Sequence, residues 1–296
     1  MAGPGPTDSI ELSGERLPPR LADLEAPPAR LFLRGELPRG PAVAIVGTRH
    51  PSPEGAAFTR GFAAELAAEG VAILSGGAKG IDTAAHEGAL DVGGVTVVIT
   101  PAGFDHPYPE QNAELYQRVV ASGGAYLSLF PDDVAAHQAH FFARNACLAA
   151  LAHAVVVTQS PFISGAANTA KWARRLGRPL FVIPHSPWVT QGKGAVQLLR
   201  RGARPLDRTK ELLRLLRESG QHPLRVPPSQ GELFAPSPAA DADPVLQALR
   251  AGASHTDEIV DRTGLSLAAV QQRILTLALS GVLVPGPSGS LKLVTD

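Results

Sequence analysis

A stretch at residues 71–82, V-A-I-L-S-G-G-A-K-G-I-D, constrains the fold of this chain more than any other. Its opening apolar residues are typical of a strand buried in a parallel sheet. A glycine-rich turn carrying Lys79 follows, and then apolar residues at helical spacing. Such a turn aims backbone N–H groups and the positive end of a helix dipole at one point, so it predicts an anion site, most often for phosphate. A plain strand-to-helix turn that needs glycine for its backbone is the alternative. Neither the P-loop nor the G-x-G-x-x-G dinucleotide pattern is present.

Strand and helix patterns alternate from residue 42 to residue 184. Strands are predicted at 42–46, 71–74, 95–100, 126–129, 154–158 and 180–183. Helices are predicted between about 54 and 69, at 110–121, at 141–152, from the turn at 159–168 to about 176, at 192–201 and at 209–217. This alternation predicts an α/β fold with a doubly wound parallel sheet and helices on both faces. Residues 1–19, rich in proline and glycine, are expected to be disordered, and 31–33 are expected to form a short strand.

Two further features follow predicted strands. Ligands of open α/β sheets bind beyond the carboxyl ends of the strands. Arg49 comes directly after the strand at 42–46 and could hold a phosphate through two hydrogen bonds, although it could instead cap a loop or pair with a carboxylate. The turn at 159–168, Q-S-P-F-I-S-G-A-A-N, puts Ser164 and Gly165 at a predicted helix start that a ligand could approach closely. We therefore expect both turns and Arg49 at one edge of the sheet.

The charges are distributed unevenly along a chain whose net charge is zero. Residues 54–133 carry eleven acidic and three basic side chains, whereas 160–217 carry twelve basic and two acidic ones. A basic half on a neutral protein suggests an anionic partner, with nucleic acid as the first candidate. Solvated helix faces are the alternative explanation.

Composition limits the class of protein. The 296 residues can hold one large domain and a small one. A single cysteine, Cys147, excludes an internal disulfide framework, and its apolar helical surroundings predict a buried thiol rather than a nucleophile. No apolar run reaches the roughly 18 residues of a membrane span, and the N-terminus lacks a signal-peptide core. The cytoplasm is therefore the expected location.

The sequence predicts a separate small domain in the C-terminal part. Residues 219–243 contain five prolines, which is typical of a linker. The pattern at 244–296 is that of a winged helix-turn-helix, with Ser266 as the cap of its third helix. Arg273 is the only cation of that helix, and the unit carries four basic and four acidic residues. Because a DNA reader is usually more basic, we expect this unit to contact protein or to have an accessory role.

Two pairs of titratable residues stand close enough in sequence to share a site. His137 and His140 stand at helical spacing, but no further metal ligand is near in sequence. Asp82 and His86 could do acid–base work from one helix face. We expect instead that Asp82 ties down the turn around Lys79 and that His86 lies on the helix surface.

With these residues identified, the chain resembles the DNA-processing protein A family, also called DprA or Smf, from about residue 17 to the C-terminus. The segments that carry the resemblance are L-P-P-R-L-A-D-L-E-A-P-P-A-R-L-F-L-R-G, A-V-A-I-V-G-T-R, S-G-G-A-K-G-I-D-T-A-A-H-E-G-A-L, G-F-D-H-P-Y-P-E-Q-N, R-N at 144–145, S-G at 164–165, G-R-P-L-F-V-I-P and the winged-helix tail. The resemblance implies an extended Rossmann-like DNA-binding domain at 20–218, joined by the linker to a winged-helix domain at 244–296. It also implies no enzymatic turnover, and we expect neither a cofactor nor a metal.

The resemblance further implies a function in natural transformation. Members of the family bind and protect incoming single-stranded DNA, help load the RecA recombinase and usually act as homodimers. Together with the two turns, it gives a set of expected DNA phosphate-binding residues: Gly47, Arg49, Ser75, Gly76, Lys79, Gly80, Arg144, Asn145, Ser164, Gly165, Asn168 and Lys171. Loop aromatics are the candidates for base stacking, and these are Phe104, Tyr108 and Phe162.

The chain departs from the family's usual pattern at Ala146, Gln159, Ala166, His185 and Val196. We expect these changes to affect the 144–196 side of the pocket rather than the fold. Two alternative functions stay open: a nucleotide-hydrolysing enzyme of the phosphoribohydrolase kind, whose P-G-G-x-G-T segment is missing here, and an interaction scaffold that uses the winged helix.

Overall fold

The structure is a computed structural model that describes residues 9–162, 164–185, 190–218 and 243–266, together with 269–270, 273–274, 277, 283–285 and 291–293. The chain divides into two compact units, Met1–Arg225 and Val226–Asp296. Among the described helices, none is both long enough and apolar enough to cross a bilayer.

A nine-stranded sheet forms the centre of the first unit, in the order β1-β2-β6-β5-β4-β3-β7-β8-β9. Its strands are β1 Ile10–Ser13, β2 Arg30–Gly35, β3 Ala42–Val46, β4 Ala72–Ser75, β5 Thr96–Thr100, β6 Ala125–Ser128, β7 Ala154–Val157, β8 Leu180–Val182 and β9 Arg204–Pro205. The strands from β3 to β9 pair in parallel, as the alternating pattern predicts. β1 and β2 pair antiparallel along the β6 edge.

Seven helices are described in this unit, and they lie on the two faces of the sheet. They are α1 Pro53–Ala68, α2 Ile81–Asp91, α3 Ala113–Ala121, α4 Gln138–Leu151, α5 Gly165–Arg175, α6 Lys193–Arg200 and α7 Thr209–Glu218. Successive strand residues point to opposite faces: within β3, Val43 and Ile45 pack with α1, α2 and α7, whereas Ala44 and Val46 pack with α4, α5 and α6. Both faces of the sheet are therefore covered, which accounts for strands that are apolar throughout.

Several expectations about the elements were wrong. Part of the segment expected to be disordered forms the edge strand β1, because Ile10 and Leu12 find a partner in β2; residues 1–8 lie outside the described part. A ninth strand, β9, follows the strand predicted to be the last. Helix α4 begins three residues earlier than predicted, and a 3-10 turn at Glu110–Asn112 precedes α3.

Two side chains expected at the surface are buried. His86, on α2, is fully buried. Phe104 is also buried and packs against Tyr126, with ring centroids 4.7 Å apart. The hydrophobic spacing of α2 did not reveal this, because the ring of His86 contacts a polar group of the sheet, with Nδ1 lying 2.7 Å from the hydroxyl oxygen of Thr96 on β5.

The order of the strands defines where a ligand can bind. From β3 the chain builds the sheet outward through β4, β5 and β6, and it then returns to the other side of β3 with β7. At such a reversal the following helices diverge and leave a crevice at the carboxyl ends of the strands. This crevice lies between the ends of β3 and β7.

The second unit contains α8 Pro244–Arg250, α9 Thr256–Thr263 and the antiparallel pair β10 Leu283–Pro285 and β11 Leu291–Leu293. Gly264, with φ 68°, ends α9 in the left-handed conformation that favours glycine. The expected third helix lies partly, and the linker almost entirely, outside the described residues. Arg273 pairs with Asp243, whose carboxylate also accepts hydrogen bonds from the first turn of α8. The one cation of the third helix is therefore engaged within its own unit.

Candidate nucleic-acid interface

An open cavity of about 780 Å³ occupies the crevice between the ends of β3 and β7. Its walls come from the loop after β3, the first half of α4 and the start of α5. Asp82, at the start of α2, and Arg144 lie in its lining, and Tyr108 contributes from the loop after β5. Segments that are distant in sequence thus meet at one concave site.

Close backbone contacts hold the end of β3 in place. Thr48 N donates to Gln159 O at 2.7 Å, and Ile81 N donates to Thr48 O at 3.1 Å. Gly47 leaves no room for a side chain, because a Cβ there would lie 2.5 Å from a side-chain carbon of Ile81. The loop that presents Arg49 is therefore fixed to both β7 and α2.

Arg49 is exposed at the cavity and rests against an aromatic ring. Its guanidinium carbon lies 5.5 Å from the ring centre of Phe141, within cation–π range. Arg144 lies 5.9 Å from the same ring, and Tyr108 meets it edge-on at 5.2 Å. Phe141 thus groups two cations and a tyrosine around one flat apolar surface.

The glycine-rich turn after β4 binds an anion that belongs to the protein itself. Oδ2 of Asp82 accepts hydrogen bonds from the backbone N–H groups of Gly76, at 3.1 Å, and Ala78, at 3.3 Å. From behind, Asn112 and Tyr116 donate to Gly77 O at 2.9 and 2.7 Å. The anion site predicted from the sequence exists, but a carboxylate fills it. This confirms the expectation that Asp82 ties down the turn.

Arg144 is buried against this turn. Its Nη1 donates to Ile99 O at 3.1 Å, and a Cβ on Gly76 would lie only 1.6 Å from that nitrogen. Burial lowers the pKa of Arg144, and the nearby Asp82 opposes this shift. Burial raises the pKa of Asp82, opposed first by the charge of Arg144 and then by its hydrogen bonds. The two groups therefore compensate one another's charge at the floor of the cavity.

The start of α5 offers the open anion-binding position. The side chain of Ser164 caps this helix by accepting a hydrogen bond from Ala167 N at 3.1 Å. In any α-helix, the backbone N–H groups of the first turn have no hydrogen-bond partner within the helix itself. Gly165 is exposed, with no heavy atom within 4 Å of where its Cβ would be. The Asn145 amide donates to Asn168 Oδ1 at 3.3 Å beside it. The helix dipole and these amides make this position suitable for a phosphate.

Seven of the twelve residues expected to contact DNA line the cavity: Gly47, Arg49, Arg144, Asn145, Ser164, Gly165 and Asn168. The other five do not. Ser75 is buried and donates to Ile45 O at 2.6 Å, and Gly76 lies behind Arg144. Lys79 is exposed away from the lining, and Gly80 packs against Thr48 with φ 83°. Lys171 lies farther along α5, facing a different depression.

Sequence reasoning missed the two aromatic residues of α4. Phe141 and Phe142 both line the cavity, and Phe142 is 53% exposed. The F-F pair stands three residues before Arg144 and Asn145, roughly one helical turn away, which was the available signal.

Four of the five departures from the family pattern lie off the cavity. Gln159 accepts from Ser52 N and donates to Ser52 Oγ, so it supports the loop before α1. Ala146 is in the core, His185 donates to Thr158 O, and Val196 lies on α6. Ala166 alone is in the lining.

Comparison with known proteins identifies the family. A sequence model described as DNA recombination-mediator protein A matches residues 9–217, and one described as DprA winged helix domain matches 229–289. The chain belongs to the DNA recombination-mediator protein A family. The family resemblance and the α/β fold with a winged-helix domain, both expected from the sequence, are thereby confirmed.

Curated relatives cover most of the chain. A putative DNA processing protein DprA of Mycobacterium tuberculosis is 36% identical over 249 residues, which is 81% of this chain and 61% of that protein. The chain therefore spans about three fifths of that relative. Protein Smf of Escherichia coli is 32% identical, with 96% of this chain and 77% of that protein covered.

Solved structures of family members share the fold. DNA processing protein A of Helicobacter pylori, whose structure is described in terms of its single-stranded DNA binding mode, superposes with a TM-score of 0.65 at 31% identity, covering 71% of this chain and 96% of that one. DprA of Streptococcus pneumoniae gives 0.65 at 32% identity, covering 70% and 74%.

Proposed function

We propose that this protein binds single-stranded DNA at the cavity between β3 and β7. The observation that carries the proposal is the convergence there of an exposed cation, Arg49, an open helix N-terminus at Gly165 and the aromatic surface of Phe141. A volume of about 780 Å³ lies within the range of small-molecule pockets, so it has room for a nucleotide unit.

Each part of the cavity has a physical role in this proposal. Arg49 and the first N–H groups of α5 bind backbone phosphates, which carry no sequence information. Phe142 and Tyr108, the exposed rings of the cavity lining, offer faces to unstacked bases, and every base has such a face. A duplex keeps its bases stacked and paired, so it cannot use these rings. The site therefore favours a single strand and is tolerant of sequence.

The biological role that fits this activity is recombination during natural transformation. The family description as a recombination mediator and the single-stranded DNA binding of the Helicobacter pylori relative support it. We further propose that the protein acts as a homodimer in the cytoplasm, protects incoming strands, helps load RecA and catalyses no reaction. The family match favours this role over a phosphoribohydrolase or a scaffold without DNA.

Fluorescence anisotropy of labelled oligo-dT, compared with a duplex of equal length at low and moderate salt, tests the proposal. We expect tighter binding of the single strand and an affinity that falls steeply with salt, because phosphate contacts release counterions. Equal affinity for both forms, or an affinity for the single strand that does not change with salt, would refute it.

A further inference from the structure

A second basic surface lies beside the cavity, around helix α6. Two adjoining depressions of about 490 and 410 Å³ share Gln197 and Arg201 in their linings. Together they form what is called here the α6 groove. Its exposed cations come from α5 and α6, and they are Lys171, Arg174, Lys193, Arg200 and Arg201.

Most of the positive charge of the α6 groove has no acidic partner among the described residues. Of the residues that the structure describes, those lining the two depressions include no acidic side chain. A sixth cation, Arg175, is paired with Glu25 at 2.6 Å, but within the described part of the chain none of the other five forms an ion pair. Like charges this close on one surface destabilise it slightly. The surface therefore fits an anionic partner.

An exposed aromatic ring stands in the same groove. Phe162 is 57% exposed and lines the depression together with Lys193, Arg200 and Arg201. An exposed phenyl ring among cations is the combination that binds unstacked bases and their phosphates, whereas a duplex offers only phosphates. The chemistry of the groove therefore points to a single strand.

The α6 groove is joined physically to the cavity. Phe162 follows Pro161, which lines the cavity, and it lies two residues before Ser164, the cap of α5. The start of α6 is fixed to this same loop, because Gly194 N donates to Ser160 O at 2.9 Å. A Cβ on Gly194 would lie 2.2 Å from Pro161 O, so the two segments touch. One continuous strand could therefore contact both.

We propose that the α6 groove is a second contact surface for single-stranded DNA, on which Phe162 stacks a base and the α6 cations bind phosphates of the strand leaving the cavity. This inference rests on the proposed function of the cavity. In this proposal, α6 and the loop before α5 extend the length of single strand that the protein contacts.

The test compares two lengths of oligo-dT, about 6 and about 30 nucleotides, since binding sites of this kind span roughly 4–16 nucleotides. The unmodified protein should bind the long strand more tightly. Phe162→Ala and Phe162→Leu should each weaken binding of the long strand about tenfold, the effect of losing one stacked base. Phe162→Trp should preserve it, and binding of the short strand should not change in any of the three. The leucine variant separates stacking from loss of apolar volume.

The α6 cations have a separate readout. Arg200→Ala/Arg201→Ala should reduce the slope of log affinity against log salt for the long strand by about 1.4, since each single-strand phosphate contact contributes about 0.7. The matched control is Arg30→Ala/Arg118→Ala, which removes the same charge from exposed positions on β2 and α3 and should leave the slope unchanged.

The outcomes separate this inference from the proposed function. If the short strand binds but the α6 variants bind the long strand like the unmodified protein, the groove does not hold DNA and the cavity still does. If the variants lose duplex binding to the same extent, the groove holds phosphates of either form and the stacking role is wrong. If the unmodified protein binds neither length, the function proposed for the cavity fails, and the groove inference fails with it.

Discussion

The buried histidine beneath helix α2 makes the stability of this protein sensitive to mild acid. His86 is completely enclosed, and burial, with the charge of Arg144, lowers its pKa from the usual 6.5 to about 3. Thr96 donates its hydroxyl to Ile73 O at 2.7 Å, so its oxygen accepts from Nδ1 of His86 at 2.7 Å. Among the described residues Nε2 has no hydrogen-bond partner. The folded protein therefore holds the neutral ring with its proton on Nδ1.

The direction and size of the effect follow from the two pKa values. In the unfolded chain this histidine takes up a proton near pH 6.5, whereas in the folded protein it does so only near pH 3. Its contribution to stability is complete above about pH 6.5 and is lost as the pH falls towards 3. Between pH 7.5 and pH 5 the loss is about 2 kcal/mol, a large part of the roughly 5–15 kcal/mol that stabilises a typical domain.

Urea unfolding at pH 7.5 and pH 5 measures this loss. Tryptophan fluorescence is a suitable probe because Trp172 lies on α5, in the unit that contains His86. His86→Asn keeps a donor for Thr96 but cannot titrate. We expect the unmodified protein to lose about 2 kcal/mol more than this variant, a midpoint shift of roughly 1 M urea.

An exposed histidine provides the control for this measurement. His106 lies in the loop after β5 and is exposed, so His106→Asn should leave the pH dependence of the unmodified protein unchanged. Equal losses of stability for the unmodified protein and His86→Asn would refute the reasoning, because they would mean that the buried ring does not resist protonation.

Three further predictions concern the turn, the end of β3 and the cysteine. Asp82→Ala should destabilise the protein by about 3–5 kcal/mol in urea unfolding, because it leaves two backbone N–H groups and a buried arginine uncompensated. Asp91→Ala, on the same helix but in a surface pair with Arg60, should cost at most about 1 kcal/mol. Similar losses for both variants would contradict the role of Asp82. Gly47→Ala should lower the melting temperature because its Cβ has no space, whereas Gly61→Ala, in open space on α1, should leave it unchanged or raise it. Burial raises the pKa of the Cys147 thiol to about 12, so iodoacetamide should modify it only after denaturation, and rapid modification of the native protein at pH 8 would be inconsistent with its burial.

The strand and helix pattern of the first unit could be predicted from sequence because its determinants are local. The apolar runs of the central strands and the turns after them were sufficient for the parallel core of the sheet. Arg49 and Ser164 could be placed at the binding edge for the same reason, because a residue just after a parallel strand lies at the carboxyl edge. The edge strand β1 has only four residues, and its pairing with β2 depends on partners 17 to 23 residues away in sequence.

The interpretation of the glycine-rich turn shows where local reasoning ends. Its N–H groups were expected to bind phosphate, and they bind the carboxylate of Asp82, four residues after Ala78. Whether a turn binds a ligand or its own side chain depends on the rotamer and burial of that side chain, which the packing of Arg144 decides. The aromatic surface at Phe141 was missed because it forms only when α4 approaches the loop after β3.

The most direct test of the central claim is the affinity of Arg49→Ala for oligo-dT, measured by fluorescence anisotropy beside Arg118→Ala. Both variants remove one exposed arginine, but only Arg49 lies at the cavity, while Arg118 is on α3. We predict that Arg49→Ala binds about 10- to 100-fold more weakly, as expected for a charge-assisted contact worth about 1.5–3 kcal/mol, and that Arg118→Ala binds like the unmodified protein. Undiminished binding by Arg49→Ala, or an equal loss in both variants, would contradict the assignment of the cavity between β3 and β7 as the DNA site.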